Sequence, residues 1–137
     1  MQREIKFKAC DKETNRMFDV QLLQFFGKEN NLDACWTNGV DFDGETTLEK
    51  GPNLNNLENL ILLQYTGLKD QNDVDVFEGD ILKFRNIFDD QGYFKKAVVM
   101  FVDGAFECNY SLLKMYTKNT FEVIGNIYEN PELLEVK

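Results

Sequence analysis

Acid chemistry is what this chain has most material for. It carries 24 Asp and Glu against 15 Lys and Arg, no histidine, and a formal charge of −9. A paired-carboxylate site needs one group held protonated by burial or by its neighbour. Glu78 and Asp80 are the nearest approach to one: two apart, they would share a face in a strand but not in a turn. The bland alternative is that Asp80 accepts backbone N–H bonds where Glu78-Gly79-Asp80 leads into a strand, and it is the reading adopted. Asp41-x-Asp43-Gly44-Glu45 begins like a calcium loop, but Pro52 stands where the closing Glu is required. From Asp70 the same template meets Asn72, then Val74 at a ligand position and Ile81 at the end, and fails again.

Other chemistries find less. Without histidine there is no His-based triad or metal ligand. Cys10, Cys35 and Cys108 match no zinc spacing and read as reduced, mostly buried thiols. Neither GxxxxGK[ST] nor GxGxxG occurs. Phe84, Phe88, Tyr93 and Phe94 interleave with Lys83, Arg85, Lys95 and Lys96, a pattern that could stack single-stranded bases. Asp89 and Asp90 interrupt it, and the overall acidity opposes a polyanion, so core residues and solvated strand faces are the simpler expectation. No catalytic, cofactor-binding or metal residue is assigned.

The elements that would carry these residues are mainly strands. The 137 residues have the size of one domain, 1–137, with two prolines and no linker-like segment. Twelve Phe and five Tyr favour half-buried pleated surfaces. Arg3 to Ala9 alternates, with Ile5, Phe7 and Ala9 expected inward. It predicts a strand rather than a leader peptide, and Asp11 to Asn15 turns it into a second strand over Met17 to Leu23. Gln24 to Asn59 loses periodicity and reads as loop-rich, with a hairpin turn at Asp43-Gly44 and a helical turn from Leu54, Leu57, Leu60 and Ile61. Leu60 to Tyr65 predicts a strand buried on both faces. Phe94 to Val102, a tight turn at Asp103-Gly104 and Ala105 to Tyr110 predict a hairpin. Thr120 to Tyr128 predicts a strand bent at Gly125, followed by a short helix capped by Asn130 that docks Leu133 and Leu134. Together these predict an all-β barrel-like or sandwich fold of short strands with a few short helices. No apolar run approaches the length of a membrane span.

Three blocks carry a resemblance. They are Arg3 to Ala9 with Asp11-Lys12-Glu13-Thr14 and Met17; Gln64 to Asp70 with Glu78-Gly79-Asp80-Ile81; and Val123 to Leu134. Together they resemble the YopX family of phage and prophage proteins from Gram-positive bacteria. Cys10 stands where that family usually has Trp, and Asp73 where it usually has Gly. Asp73 can still adopt the left-handed conformation, so the turn is expected to survive; loss of the Trp would call for repacking by Trp36. The resemblance implies a mostly β, barrel-like fold encoded by a phage or prophage. It brings no established activity and no catalytic residues.

The expected function is a non-enzymatic accessory protein of unknown molecular activity, acting by protein–protein contact in the cytoplasm of the bacterial host. The loop-rich 24–59 segment is the expected contact surface, and a basic host protein is a partner that the acidity would suit. Membrane contact is not expected, nucleic acid is disfavoured, and the oligomeric state is left open, a homo-oligomer included. The alternatives are a small β-barrel binding nucleic acid through Lys83 to Lys96 and, last, a carboxylate-metal enzyme. A continuous acidic face, a basic aromatic groove or a pocket of converging carboxylates would distinguish the three.

Overall fold

The computed structural model describes residues 3–26, 31–40, 46–50, 60–108, 111–113, 116 and 118–135; the side chains of 21–22, 24–26, 31–40, 46–50, 111–112 and 118 are outside that description. It is mainly β, as expected, with twelve described strands and short 3-10 helices at Lys118–Thr120 and Pro131–Leu134. The strands are β1 Phe7–Asp11, β2 Arg16–Phe26, β3 Asn31–Val40, β4 Thr46–Lys50, β5 Leu60–Lys69, β6 Asp75–Phe77, β7 Asp80–Phe88, β8 Phe94–Val98, β9 Met100–Val102, β10 Ala105–Cys108, β11 Ser111–Leu112 and β12 Phe121–Asn126. Contacts group the chain into two compact units, Lys6–Leu63 in one and Met1–Ile5 with Gln64–Lys137 in the other.

In the Lys6–Leu63 unit, β1 and β2 form the expected hairpin, with Lys8 opposite Asp19 and Asp11 opposite Arg16. The turn closes because Asn15 takes φ 56° and its N–H reaches Asp11 O at 2.7 Å. β2 then pairs β3, and β3 pairs β4, all antiparallel. The described residues of the expected loop-rich stretch, 24–26, 31–40 and 46–50, are therefore sheet. Its sequence lacks alternation, but β3 is hydrogen-bonded on both edges, and that pairing outweighs weak local propensity. Val40 faces Thr46; the expected Asp43-Gly44 turn, and 54–59 where a helical turn was expected, lie outside the described residues. Leu60 and Ile61 are in strand, and Ala9 and Leu60 pack with Val20, Leu23 and Leu62.

In the other unit, β12-β7-β8 and β11-β10-β9 are two antiparallel sheets, and β5 pairs β6. Their inner side chains form one core of Val76, Leu82, Phe84, Ala97, Val99, Cys108, Leu113 and Phe121. Phe84 anchors it, with ring centroids 4.8 Å from Tyr116 and 6.0 Å from Phe121. Each such ring contributes roughly 1.5–3 kcal/mol on burial. The Asp103-Gly104 turn is as expected: φ values of 50° and 82° join Val102 directly to its partner Ala105, the two-residue loop whose twist suits a hairpin.

Several expectations are corrected in detail. Ile5 precedes β1 and is exposed, not inward-facing. β5 is not buried on both faces: Leu60, Leu63 and Tyr65 are buried, while Ile61, Leu62 and Gln64 are only partly so. The single strand over Phe94 to Val102 is broken at Val99, whose N–H and C=O turn instead to Asp80 O and Gly79 N–H at 2.9 and 2.8 Å. Asn130 stands at the N-cap of the final helix, as expected, but its side chain makes no capping bond; its Oδ1 accepts instead from Asn126 N–H at 3.2 Å. Leu133 is half-buried, but Leu134 stays exposed.

Candidate functional site

The carboxylates weighed for chemistry serve the backbone. Asp70 has no exposed surface. Its Oδ1 accepts from Asn72 N–H and Val74 N–H at 2.8 and 2.9 Å, and its Oδ2 from Val123 N–H at 2.8 Å. One carboxylate thus folds the 70–74 loop on itself and ties it to β12. Asp73 completes the loop at φ 62°, so the turn survives without glycine. Asp80 Oδ2 accepts from Phe77 N–H at 2.8 Å, and Glu78 Oε1 from Gln64 N–H at 3.0 Å. The two acids two apart are drawn to different strands. Asp89 Oδ1 accepts from Gln91 and Tyr93 N–H groups, each at 2.9 Å, and Asp11 accepts from Glu13 N–H and the Thr14 hydroxyl at 3.0 and 3.1 Å. Turn donors left without secondary-structure partners need such acceptors.

The middle of the Glu78-Gly79-Asp80 turn is fixed from both sides. Gly79 sits at φ 81°, and its C=O accepts from Ile127 N–H at 2.9 Å. Asp80→Ala removes the acceptor for Phe77 N–H and is expected to lower stability by about 1–2 kcal/mol. An unchanged thermal melt would remove this structural role and reopen a chemical one.

Cys10 and Cys108 are buried thiols outside any disulfide; the Cys35 side chain lies outside the described residues. Burial in the core pushes the Cys108 thiol up to about 11, the opposite of what a nucleophile needs. Because the folded value is raised, the protonated thiol favours folding at neutral pH. That contribution, about 2–3 kcal/mol, fades as pH climbs from the ordinary thiol value toward the raised one. The stability gap between the protein and Cys108→Ala, measured by urea unfolding, should therefore narrow between about pH 8.5 and 11. A gap that stays constant over this window would contradict it.

Among the described residues, no group of three or more His, Cys, Asp or Glu is placed to hold a metal. The Asp41, Asp43 and Glu45 cluster lies outside them. No helix among the described residues is long and apolar enough to cross a membrane.

The basic-aromatic residues do come together, though not as a simple stacking platform. Lys83 lies opposite Lys96 across β7–β8 and opposite Glu122 across β7–β12. Phe84 points the other way and is core. Asn86, at φ 62°, sits where the β7–β8 register slips, and beyond it Phe88 faces Phe94. Those two rings stack at 4.9 Å with 27° between planes, and Lys83 Nζ lies 4.5 Å from the Phe94 centroid. Phe94 is thus already engaged by the Phe88 ring and by the Lys83 ammonium. Lys96 Nζ donates to Leu133 O at 2.9 Å.

Two features were not read from the sequence. One is the exposure of the hairpin end: Ile87 is 38% exposed, Phe88 55%, Tyr93 54% and Phe94 40%. The other is a groove of about 250 Å³ lined by Gln71, Lys83, Phe84, Arg85, Phe94 and Glu122. Gln71 reaches it because Asp70 holds the loop against β12, where Gln71 N–H meets Phe121 O at 3.2 Å and Gln71 Nε2 meets Glu122 Oε2 at 3.3 Å. The turn residues after Asp70 signalled a loop, but only the sheet partner fixes where its second residue lands.

Comparison with known proteins adds the following. The family model described as YopX protein matches residues 6–135. Protein EF1440 from Enterococcus faecalis has a crystal structure similar to this one, at TM-score 0.70 and 31% identity, over 98% of this chain and 100% of that one. Protein yopX from Bacillus subtilis is similar at TM-score 0.62 and 21% identity, over 99% of each chain; that likeness concerns the fold. No curated protein matches the chain.

Proposed function

The chain belongs to the YopX protein family, and on that premise we propose that it is a phage- or prophage-encoded accessory protein that works without catalysis, by protein–protein contact in the host cytoplasm. The observation that carries this reading is the exposed hairpin end, where a stacked Phe88–Phe94 pair stands beside Ile87 and Tyr93. Contiguous exposed aromatic surface of this kind marks an interaction site, and aromatic residues with Arg are the usual anchors of protein interfaces. The carboxylates and the Cys108 thiol that catalysis would recruit are instead committed to turns and core. Contact is thus assigned to the β7–β8 end rather than to 24–59, of which 31–40 and 46–50 are the strands β3 and β4.

Burying one Phe ring in a partner is worth about 1.5–3 kcal/mol, or roughly tenfold to a hundredfold in affinity. Affinity capture from nuclease-treated host lysate should retain a protein on the wild-type chain and lose it on Phe88→Ala. Equal retention by both would defeat this reading.

Nucleic acid is the second reading, favoured by one observation: Lys83 and Arg85 line a groove next to aromatic rings. It is ranked lower because Phe94 already stacks on Phe88 and meets the Lys83 ammonium, and the chain carries −9 overall.

A further inference from the structure

We infer that the groove formed by the Asp70–Val74 loop, β7, β8 and β12 receives an acidic side chain from an extended segment of the partner protein. This rests on the contact surface proposed above and adds the chemistry of what meets it. Three observations agree. Arg85 is exposed and has no ion pair or hydrogen bond among the described residues. Lys83 lines the groove beside Arg85, so two cations there meet the single carboxylate of Glu122. Gln71 Oε1 is buried in the groove wall with no hydrogen-bond partner among the described residues. A buried acceptor without a donor is costly, and a turn of the Gln71 amide would bring it to a backbone N–H of an extended peptide whose carboxylate meets Arg85. Apolar side chains on either side of that acid would pack on Phe88 and Ile87.

The charge of the groove selects an acidic segment rather than a basic one. A peptide is favoured over an oligonucleotide because Phe94 is already engaged by Phe88 and Lys83 and the charge of −9 opposes a polyanion. The Glu122 carboxylate also lines the groove, but it is partnered within the wall, where it accepts from Gln71 Nε2.

The test is an NMR titration of the full chain with three probes: a short capped peptide alternating Asp and Phe, the same peptide with Lys for Asp, and a short oligothymidylate. Only the Asp peptide should shift the Gln71 side-chain amide and the Arg85 Nε–H signals. Arg85→Ala, at an exposed position, should keep the dispersed spectrum and weaken that binding about tenfold. Equal binding of the Lys peptide, stronger binding of the oligothymidylate, or no shift at Gln71 and Arg85 would overturn the inference. Capture from lysate separates this failure from that of the contact surface. Retention lost with Phe88→Ala but kept with Arg85→Ala would remove the acidic groove and leave the surface standing; retention by both variants would remove the surface itself.

Discussion

Asp70→Ala should lower folding stability by about 3–4 kcal/mol, a large share of the roughly 5–15 kcal/mol available to a domain. The carboxylate is fully buried and accepts three backbone N–H groups. Bonds to a charged acceptor are worth about 1.5–3 kcal/mol each. The loss is less than their sum because Asn72 and Val74 are exposed and their N–H groups regain water. Val123 N–H, half-buried on β12, does so less readily. Asp70→Asn keeps one acceptor and turns an NH₂ toward a donor, so about half the loss should remain. Urea unfolding of the two variants measures both values, and amide exchange at Val74 and Val123 should rise together. A midpoint shift equivalent to less than about 1 kcal/mol for Asp70→Ala would show that the carboxylate is not the loop's anchor.

The second large effect is expected at Gly125. A Cβ there would lie 2.6 Å from Asn130 Oδ1 and 2.8 Å from Leu133 Cδ1. Leu133 Cδ1 can turn aside, but Asn130 Oδ1 cannot move without releasing Asn126 N–H. Gly125→Ala should therefore cost about 2 kcal/mol and lift the Pro131–Leu134 turn from β12, read as faster exchange at Asn126 and Leu133. In a double-mutant cycle, Asn130→Ala should relieve part of the cost, because it removes the nearest obstruction. Additive effects, or a melt unchanged by Gly125→Ala, would contradict this packing.

These two positions also show what the sequence made legible. Gly125 could be foreseen as a bend because a glycine inside a β-rich run has few other uses, and the register does slip between Val123 and Gly125. The same holds for Asp103-Gly104 and for the Asp11–Asn15 turn, where the conformation is dictated by a few adjacent residues. Asp80 was readable as a turn acceptor for the same reason. Asp70 was readable only as a poor calcium ligand: its bond to Val123 N–H joins residues 53 apart in the chain, and no local pattern announces it. β3 was hidden because pairing on both edges, not alternation, makes it a strand. The contact surface was half visible. Its residue types stood out, but the inward turn of Phe84, the slip at Asn86 and the Phe88–Phe94 stack decide which of them meet solvent.

The assignment of the β7–β8 end to protein rather than nucleic acid is tested most directly by fluorescence anisotropy. Short labelled single- and double-stranded DNA and RNA are titrated with the chain across a salt series. The account predicts no binding tighter than about 10 μM near 0.15 M salt, since non-specific binding without extensive phosphate contact lies at roughly 10⁻⁴–10⁻⁶ M and the charge of −9 opposes approach. Sub-micromolar binding that weakens as salt rises, and disappears when Lys83, Arg85, Lys95 and Lys96 are changed to Ala, would contradict it.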